Sequence, residues 1–214
     1  RVPDIGDIKS ADVYISGFST SDNIEFKNPE LPREIHKTIL KEKLYVDNNG
    51  VISDVARDYE YDNISYISFD YQLKNGKLMH REYSIRGKRG DELLFKLCQS
   101  DERFDTIEKK INSSGVATVN LGYYDNSGSD EIYGEAYLTV SECKKFMQLY
   151  REDIKKVDNA SEFLNGYDSS YELSWNNADG SHYYYTLQIN GLFENTKEYL
   201  ESLDLPARAA DIKG

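Results

Sequence analysis

The feature that most constrains the fold is the stretch from Tyr66 to Leu97, where two alternating segments flank a turn and a short helical pattern follows. A three-residue loop ending in Gly76 pairs odd positions with odd positions, whereas a two-residue loop would set apolar side chains opposite polar ones. The three-residue loop needs a residue with positive φ, which glycine adopts without strain. We therefore predict a half-buried hairpin in which Asp70 lies opposite His80.

Three other segments show the same pattern of two strands and a helix, at roughly fifty-residue spacing. Helices that return to one face of antiparallel hairpins give an α+β fold. We predict an α+β fold of repeated β-hairpin-plus-helix units, with antiparallel sheets and helices packed on one face. The expected elements are strands at Ala11–Gly17 and Asn23–Phe26, helices at Pro32–Lys43 and Asp91–Gln99, a weaker strand pair within Leu44–Val55, a third unit at Val116–Val157, and a last helix starting near Glu194 or Asn195.

The units pair into two subdomains, with the first pair expected at residues 1–108 and the second at 109–214. We expect the break near Asp105 to Ser114, and a single continuous sheet is the alternative. The helix of the third unit is the best defined, because its apolar residues recur at steps of three and four, and Ser141 is its expected N-cap.

The net charge of −12 and the pI near 4.8 argue against nucleic acid and against direct lipid binding, since both surfaces are anionic. No apolar run approaches the ~20 residues that cross a bilayer. The chain starts at Arg1 without a methionine, which suggests a fragment of a longer protein such as an excised ectodomain.

Cys98 and Cys143 fit no metal-binding spacing. We predict small core residues on helices, and a disulfide between the two is the alternative. No cofactor is expected. The segment Asp125–Glu131 offers oxygen donors, but its glycine is fourth rather than sixth as in an EF-hand loop, so a solvated turn is favoured. The acidic cluster between Asp54 and Asp62 is interpreted as a solvated strand face.

The sequence shows no catalytic constellation. The histidines His36, His80 and His182 share no motif; the strand parity puts the last two on the polar side, and His36 is expected to be a satisfied, partly buried residue. No nucleophile elbow is present. The segment 86–90 is expected to be a loop; it precedes a helix and carries cations, but it lacks the phosphate-loop spacing.

The chain contains 18 tyrosines. Tyrosine suits the face of a sheet, because its ring packs on apolar neighbours while its hydroxyl reaches solvent. In the third and fourth units Tyr124 and Tyr184 point away from their tyrosine neighbours, toward the side of the sheet opposite the core. We predict that Tyr124, Tyr184 and His182 bind a ligand. Burial of both sheet faces under helices or loops is the alternative.

Short motifs in the first half of the chain resemble a poorly characterised extracytoplasmic domain of ABC-transporter permease-like membrane proteins of Gram-positive bacteria. The second half matches only in overall pattern. The resemblance implies a position outside the cytoplasmic membrane, attached to it in the full-length protein, and it carries over no catalytic residues. The motifs are Ser10-Ala11-Asp12-Val13-Tyr14-Ile15, Arg33-Glu34-Ile35-His36-Lys37, the run from Ile67 to Lys77, and Arg81-Glu82-Tyr83-Ser84-Ile85.

The leading hypothesis is a non-catalytic extracytoplasmic interaction or sensing module of a membrane transport protein. Its expected partner is the membrane-spanning part of the same polypeptide or another envelope protein. The alternatives are a hydrolase of cell-envelope glycan or peptide and a Ca²⁺-stabilised adhesion module. The hydrolase would need a deep cleft that joins two carboxylates, or one carboxylate and His36.

Overall fold

The computed structural model describes residues 1–16, 22–46, 65–85, 87–100, 102–125, 132–158, 160, 169–189, 191–205 and 207–208. The chain divides into two compact units, Arg1–Arg103 with Ala160–Asn165 and Phe104–Asn159 with Gly166–Gly214. The described strands form two antiparallel sheets, one in each unit. The predicted α+β class is therefore confirmed, and the alternative of one continuous sheet is wrong.

The first unit has a five-stranded sheet in the order β2-β1-β4-β5-β3. Its core lies where the inward side chains of β1 and β4 meet α1. Val13 on β1, Phe69 on β4 and Ile39 on α1 are all fully buried. Its elements are β1 (Ile8–Ser16), β2 (Asp22–Phe26), α1 (Glu30–Glu42), β3 (Tyr45–Val46), β4 (Ser65–Leu73), β5 (Leu78–Ile85) and α2 (Gly87–Gln99).

The hairpin of β4 and β5 has the predicted register. Asp70 pairs with His80, and odd residues pair with odd residues along the ladder. Gly76 closes the loop at φ 83°, and its N–H donates to the carbonyl of Leu73 at 2.9 Å. The turn and the alternation therefore act together to set which side chains enter the core.

Helix α2 begins at Gly87, so the expected loop at 86–90 is wrong for its described residues. Gly90 lies inside the helix, and a Cβ there would stand 2.3 Å from the Cγ2 of Ile85. Glycine thus allows the helix to lie close to β5. In the sequence, the same glycine suggests a loop. Strand β3 pairs with β5. The described residues do not include residues 47–55 of the expected strand pair. They also do not include the acidic cluster at 54–62.

The second unit has a four-stranded sheet in the order β7-β6-β8-β9. Helix α4 covers its inner face, where the rings of Phe146 and Tyr171 meet at 5.8 Å. Its elements are α3 (Arg103–Ser114), β6 (Thr118–Asp125), β7 (Ile132–Thr139), α4 (Val140–Lys156), β8 (Ser169–Asn176), β9 (His182–Ile189) and α5 (Glu194–Ser202).

Helix α3 occupies the segment in which we expected a break between subdomains. Phe104, Ile107 and Ile111 recur at steps of three and four and are buried. This stripe is typical of an amphipathic helix, but the polar residues around it make it resemble a linker in the sequence.

The N-cap expected at Ser141 is wrong, because Thr139 caps α4. The Thr139 hydroxyl accepts from the Glu142 N–H at 3.2 Å, and the Glu142 carboxylate accepts from the Thr139 N–H at 2.8 Å. A capping box needs Ser or Thr three residues before Glu, a spacing that Thr139 satisfies and Ser141 does not.

Both cysteines are buried thiols, Cys98 on α2 and Cys143 on α4, as the core interpretation predicted. Burial raises the pKa of the Cys143 thiol to about 12. That thiol is therefore protonated at neutral pH and packs as a small apolar residue.

Candidate functional site

The outer face of the second sheet presents a group of tyrosines to solvent, and we call it the tyrosine face. Tyr133, Tyr137 and Tyr184 are 68%, 53% and 53% exposed. The face consists of the residues on the side away from α4: Asn120, Gly122 and Tyr124 on β6, Tyr133, Glu135 and Tyr137 on β7, Ser170, Glu172, Ser174 and Asn176 on β8, and His182, Tyr184 and Thr186 on β9. Each of these residues is exposed or half-buried.

We use the term trough for the strip of the tyrosine face that lies over the two central strands, β6 and β8. In one cross-strand row, Tyr137 and Tyr184 stand on the outer strands, and Asn120 and Ser174 lie between them. Neighbouring strands are spaced about 4.8 Å apart, so the outer strands are about 14 Å apart. Large rings thus border a floor of small polar residues.

A second row places two carboxylates around a glycine. Gly122 pairs with Glu135 on one side and with Glu172 on the other. A Cβ on Gly122 would stand 3.5 Å from the Cβ and Oε2 of Glu172, so the Glu172 side chain lies over the glycine. The tyrosine face carries no Lys or Arg among its described residues, and its ionised groups are these two carboxylates.

The hydroxyl of Tyr184 donates a hydrogen bond to Glu172. Partial burial and the Glu172 carboxylate raise the pKa of Tyr184, so the phenol remains protonated at neutral pH. The bond holds the Tyr184 ring above the floor of the trough. A ring that is already oriented loses less conformational freedom on binding a partner.

The three residues predicted to bind a ligand lie on this one face. Tyr124 is half-buried on β6, and its ring contacts that of Tyr133 at 4.7 Å. His182 is exposed at the start of β9, and its Nδ1 lies 2.9 Å from the Oδ1 of Asn176. The strand order puts Tyr124 on a central strand and Tyr184 on an outer strand two rows away, roughly 17 Å apart by strand spacing and rise. Their ligand-binding role stays a prediction.

Sequence reasoning missed Tyr133, Tyr137, Glu135 and Glu172. The signal was available on β7, where Ala136 and Leu138 alternate with the tyrosines and therefore assign them to the other face. What the pattern of one strand could not show is that β6 lies between β7 and β8, which brings both carboxylates beside Gly122.

His36 of the first unit belongs to an aromatic cluster in the core. Its Nδ1 lies 2.9 Å from the Tyr71 hydroxyl and its Nε2 lies 2.6 Å from the Tyr83 hydroxyl, and the ring stacks on Phe69 at 4.4 Å. Burial lowers the pKa of His36 to about 4, with smaller contributions from the N-terminus and Arg81. A neutral imidazole has one N–H and one lone pair, so one hydroxyl accepts from the ring and the other donates to it.

This arrangement gives the hydrolase alternative no support from His36, because both ring nitrogens are engaged by tyrosines rather than by a carboxylate. His80 is exposed on β5 and its Nδ1 lies 2.7 Å from Asp70, as the register predicted. The described residues contain no group of three or more His, Cys, Asp or Glu side chains that could hold a metal ion. The calcium candidate at 126–131 lies outside the described residues.

Within the described part of the chain, no helix combines the length and the apolar character needed to span a bilayer. No family model, no curated protein and no solved structure matches this chain.

Proposed function

We propose that this chain is a non-catalytic interaction module that binds a cationic polypeptide segment on its tyrosine face. The observation that supports the proposal is the exposure of Tyr133, Tyr137 and Tyr184, each at least half exposed on one face of a sheet. Tyrosine is enriched at binding hot spots, because its ring adds a large contact area for few rotatable bonds.

The charge of the face favours a cationic partner. Glu135 and Glu172 flank Gly122, with no Lys or Arg on the described part of the face. Lysine and arginine can pair with these carboxylates and lie over the tyrosine rings in cation–π contacts. A neutral glycan would leave both carboxylates without a counter-charge as water is removed, and a polyanion would be repelled.

The shape of the face favours an extended segment. The trough runs along β6 and β8, where Gly122, Ser170 and Ser174 are small and Tyr124 and Glu172 are larger. A strand-like peptide sends alternate side chains to opposite sides, so every second side chain would face the floor. Its cationic side chains would then reach Glu135 and Glu172.

The resemblance of the first half of the chain supports a place for the module outside the cytoplasmic membrane, in a membrane transport protein. The partner segment would then belong to the membrane-spanning part of the same polypeptide or to another envelope protein.

Calorimetric titration with three probes tests the proposal. The probes are hexalysine, the same peptide with every lysine acetylated, and a neutral β-1,4-linked glucose hexamer. We expect hexalysine alone to bind. Glu135→Gln with Glu172→Gln should weaken the binding of hexalysine at least tenfold. Tyr137→Thr with Tyr184→Thr should weaken it as much, and threonine is chosen because it also favours the strand conformation.

The matched control is Glu198→Gln with Glu201→Gln on α5, which removes the same charge from two exposed positions off the sheet. If this pair weakens hexalysine binding as much as Glu135→Gln with Glu172→Gln, hexalysine is attracted by the net charge of the whole chain and the proposal is wrong. Binding of the glucose hexamer without binding of hexalysine would overturn it in favour of a glycan.

A further inference from the structure

Strand β9 is an outer strand of the second sheet, and its edge has none of the features that usually prevent pairing. Among the strands that the structure describes, only β8 pairs with it, over eight consecutive positions without a shift in register. The sequence from His182 to Ile189 contains no Asp, Glu, Lys, Arg, Pro or Gly. Edge strands that stay unpaired commonly carry charges or proline, or are very short. The edge of β9 can therefore accept a further strand.

The other outer strands of the two sheets differ from β9 in this respect. Strand β3 has two residues, and β2 has five, with Asp22 and Glu25 in its sequence. Strand β7 contains Gly134 and Glu135. Short length, charge and glycine all weaken pairing at an edge. Of the described outer strands, β9 is thus the best suited to pair with a partner.

The hairpin of β8 and β9 shows which backbone groups point outward from this edge. The Asn177 N–H donates to the Ser181 carbonyl at 2.9 Å. Bonded and non-bonded pairs alternate along an antiparallel ladder, so the odd positions within 183–189 bond to β8. The N–H and C=O groups of Tyr184 and Thr186 therefore point away from β8, toward the position of an added strand.

The side of this edge that belongs to the tyrosine face favours a cation. Tyr184 is 53% exposed, and its hydroxyl donates to Glu172, which pairs with Thr186. A residue opposite Thr186 on an added strand would have its Cα about 10 Å from that of Glu172, which is two strand spacings. A long cationic side chain there can reach the Glu172 carboxylate and the ring of Tyr184.

The opposite side of the edge favours apolar side chains. Tyr183 and Tyr185 are half-buried, and their rings stack on Trp175 at 5.1 and 5.8 Å. The Nζ of Lys110 on α3 lies 4.7 Å from the ring centre of Tyr183 and donates to the Tyr185 hydroxyl at 3.2 Å. A second cation on this side would be repelled by Lys110, whereas an apolar side chain would cover the exposed parts of the rings.

We propose that β9 binds an extended segment of a partner protein as a fifth strand of the second sheet, and that this segment alternates cationic with apolar residues. Its cationic side chains lie on the tyrosine face. Main-chain hydrogen bonds to Tyr184 and Thr186 supply affinity, and the alternate side chains supply specificity. The site is separate from the trough, with which it shares Tyr184 and Glu172, and it does not depend on binding in the trough.

The first test compares two peptides of the same composition. One is Lys-Val-Lys-Val-Lys-Val-Lys, and in the other all the lysines precede all the valines. We expect the alternating peptide to bind at least tenfold more tightly in calorimetry. It should also slow hydrogen exchange of the Tyr184 and Thr186 amides, which gain acceptors. Equal affinity of the two peptides would show that charge alone attracts them and would overturn the proposal.

Methylation of the peptide backbone tests the strand geometry itself. An added strand directs the N–H groups of alternate residues toward β9. The alternating peptide is therefore methylated on the amides of its lysines or, separately, of its valines. We expect one of the two methylated peptides to keep its affinity and the other to lose at least tenfold. A loss in both or in neither would overturn the proposal.

The third test removes one outward donor from β9. Thr186→Pro deletes an N–H that points away from β8, so the ladder with β8 should stay intact and peptide binding should fall at least tenfold. Unchanged exchange of the Tyr185 and Leu187 amides verifies the ladder. Thr186→Val is the conservative variant, which keeps the N–H and should bind within twofold of the unchanged protein. If Thr186→Pro keeps the ladder and binds as tightly as Thr186→Val, the proposal is wrong.

Discussion

Asp153 on α4 caps the N-terminus of α5 through Thr196. One carboxylate oxygen accepts from both the backbone N–H and the hydroxyl of Thr196, each at 2.8 Å, and the other accepts from the Asn195 amide at 2.5 Å. Asp153 is 2% exposed, and the N-cap residue Phe193 makes no side-chain capping bond. One helix thus supplies the cap that the sequence of the other lacks.

Replacing Asp153 with alanine should destabilise the second unit by about 3 kcal/mol, because several buried donors lose their acceptor. Asp153→Asn should cost less, since the amide oxygen can still accept from Thr196. Trp175 is the single tryptophan and lies in this unit, so urea unfolding followed by its fluorescence measures the loss.

The control for Asp153 is its neighbour Glu152, which is exposed and accepts from Gln148 at 2.7 Å. Glu152→Ala should change the free energy of unfolding by less than about 0.5 kcal/mol. Equal effects at the two positions would show that the contact with Thr196 does not stabilise α5.

Glu142 should make the second unit sensitive to acid. Arg208 donates to its carboxylate at 2.8 and 3.2 Å; these bonds, reinforced by Thr139, lower the pKa of Glu142 to about 2. The folded pKa lies below the ordinary value of 4.5, so the stabilisation is complete above pH 4.5 and is lost as pH falls through about 2. Glu142→Gln should therefore cost about 1–2 kcal/mol at pH 7 and less at pH 3.

Urea unfolding at the two pH values, followed by Trp175 fluorescence, measures this difference. Arg208→Gln is the matched variant, because it removes the ion pair and leaves the capping box with Thr139 intact. It should lose less than Glu142→Gln at pH 7. If Glu142→Gln costs the same free energy of unfolding at pH 3 and pH 7, the low pKa of Glu142 is contradicted.

His36 should make the first unit less stable in mild acid. Its folded pKa of about 4 lies below its ordinary value of 6.5, so the unfolded chain binds the proton first. The stabilisation is complete above about pH 6.5 and falls as pH is lowered toward 4, by up to about 3 kcal/mol. His36→Gln, which cannot titrate but keeps a donor and an acceptor, should abolish this part of the pH dependence.

Hydrogen exchange of the β4 amides at pH 7, 6 and 5 reports the first unit directly, after correction for the intrinsic exchange rate. Tyr71→Phe and Tyr83→Phe each remove one partner of the imidazole and should destabilise the unit by about 1 kcal/mol at pH 7. The same loss of protection with falling pH in His36→Gln and in the unchanged protein would rule out His36 as the cause.

Gly134 should tolerate no side chain. A Cβ there would stand 2.3 Å from the Cζ of Tyr123, a residue that is 9% exposed. We expect Gly134→Ala to destabilise the second unit by about 1–2 kcal/mol through overpacking.

Gly122 is the matched control on the opposite face of the same sheet, where an added Cβ would meet Glu172 at an ordinary contact distance of 3.5 Å. Gly122→Ala should be neutral or slightly stabilising in urea unfolding, since alanine restricts the unfolded chain. A larger loss for Gly122→Ala than for Gly134→Ala would contradict the packing of Tyr123 over Gly134.

Much of the fold was predictable because its signals are local. The loop ending in Gly76 and the alternation on either side of it correctly predicted the register of β4 and β5, and the start of α5 at Glu194 was also predicted. The cap of α4 was a local signal as well, and Thr139 with Glu142 identifies it at the spacing of a capping box. Helix α3 was missed because its apolar stripe is sparse among polar residues.

The sequence by itself determined which segments become hairpins, where most of the helices form and which face of each strand is apolar, since turn chemistry and side-chain periodicity act over a few residues. Only the tertiary structure decided that β6 lies between β7 and β8, that Tyr137 and Tyr184 border one trough, and that Asp153 caps α5. These relations join residues far apart in the chain. They depend on which strands and helices pack together, and no local pattern of hydrophobicity specifies a partner.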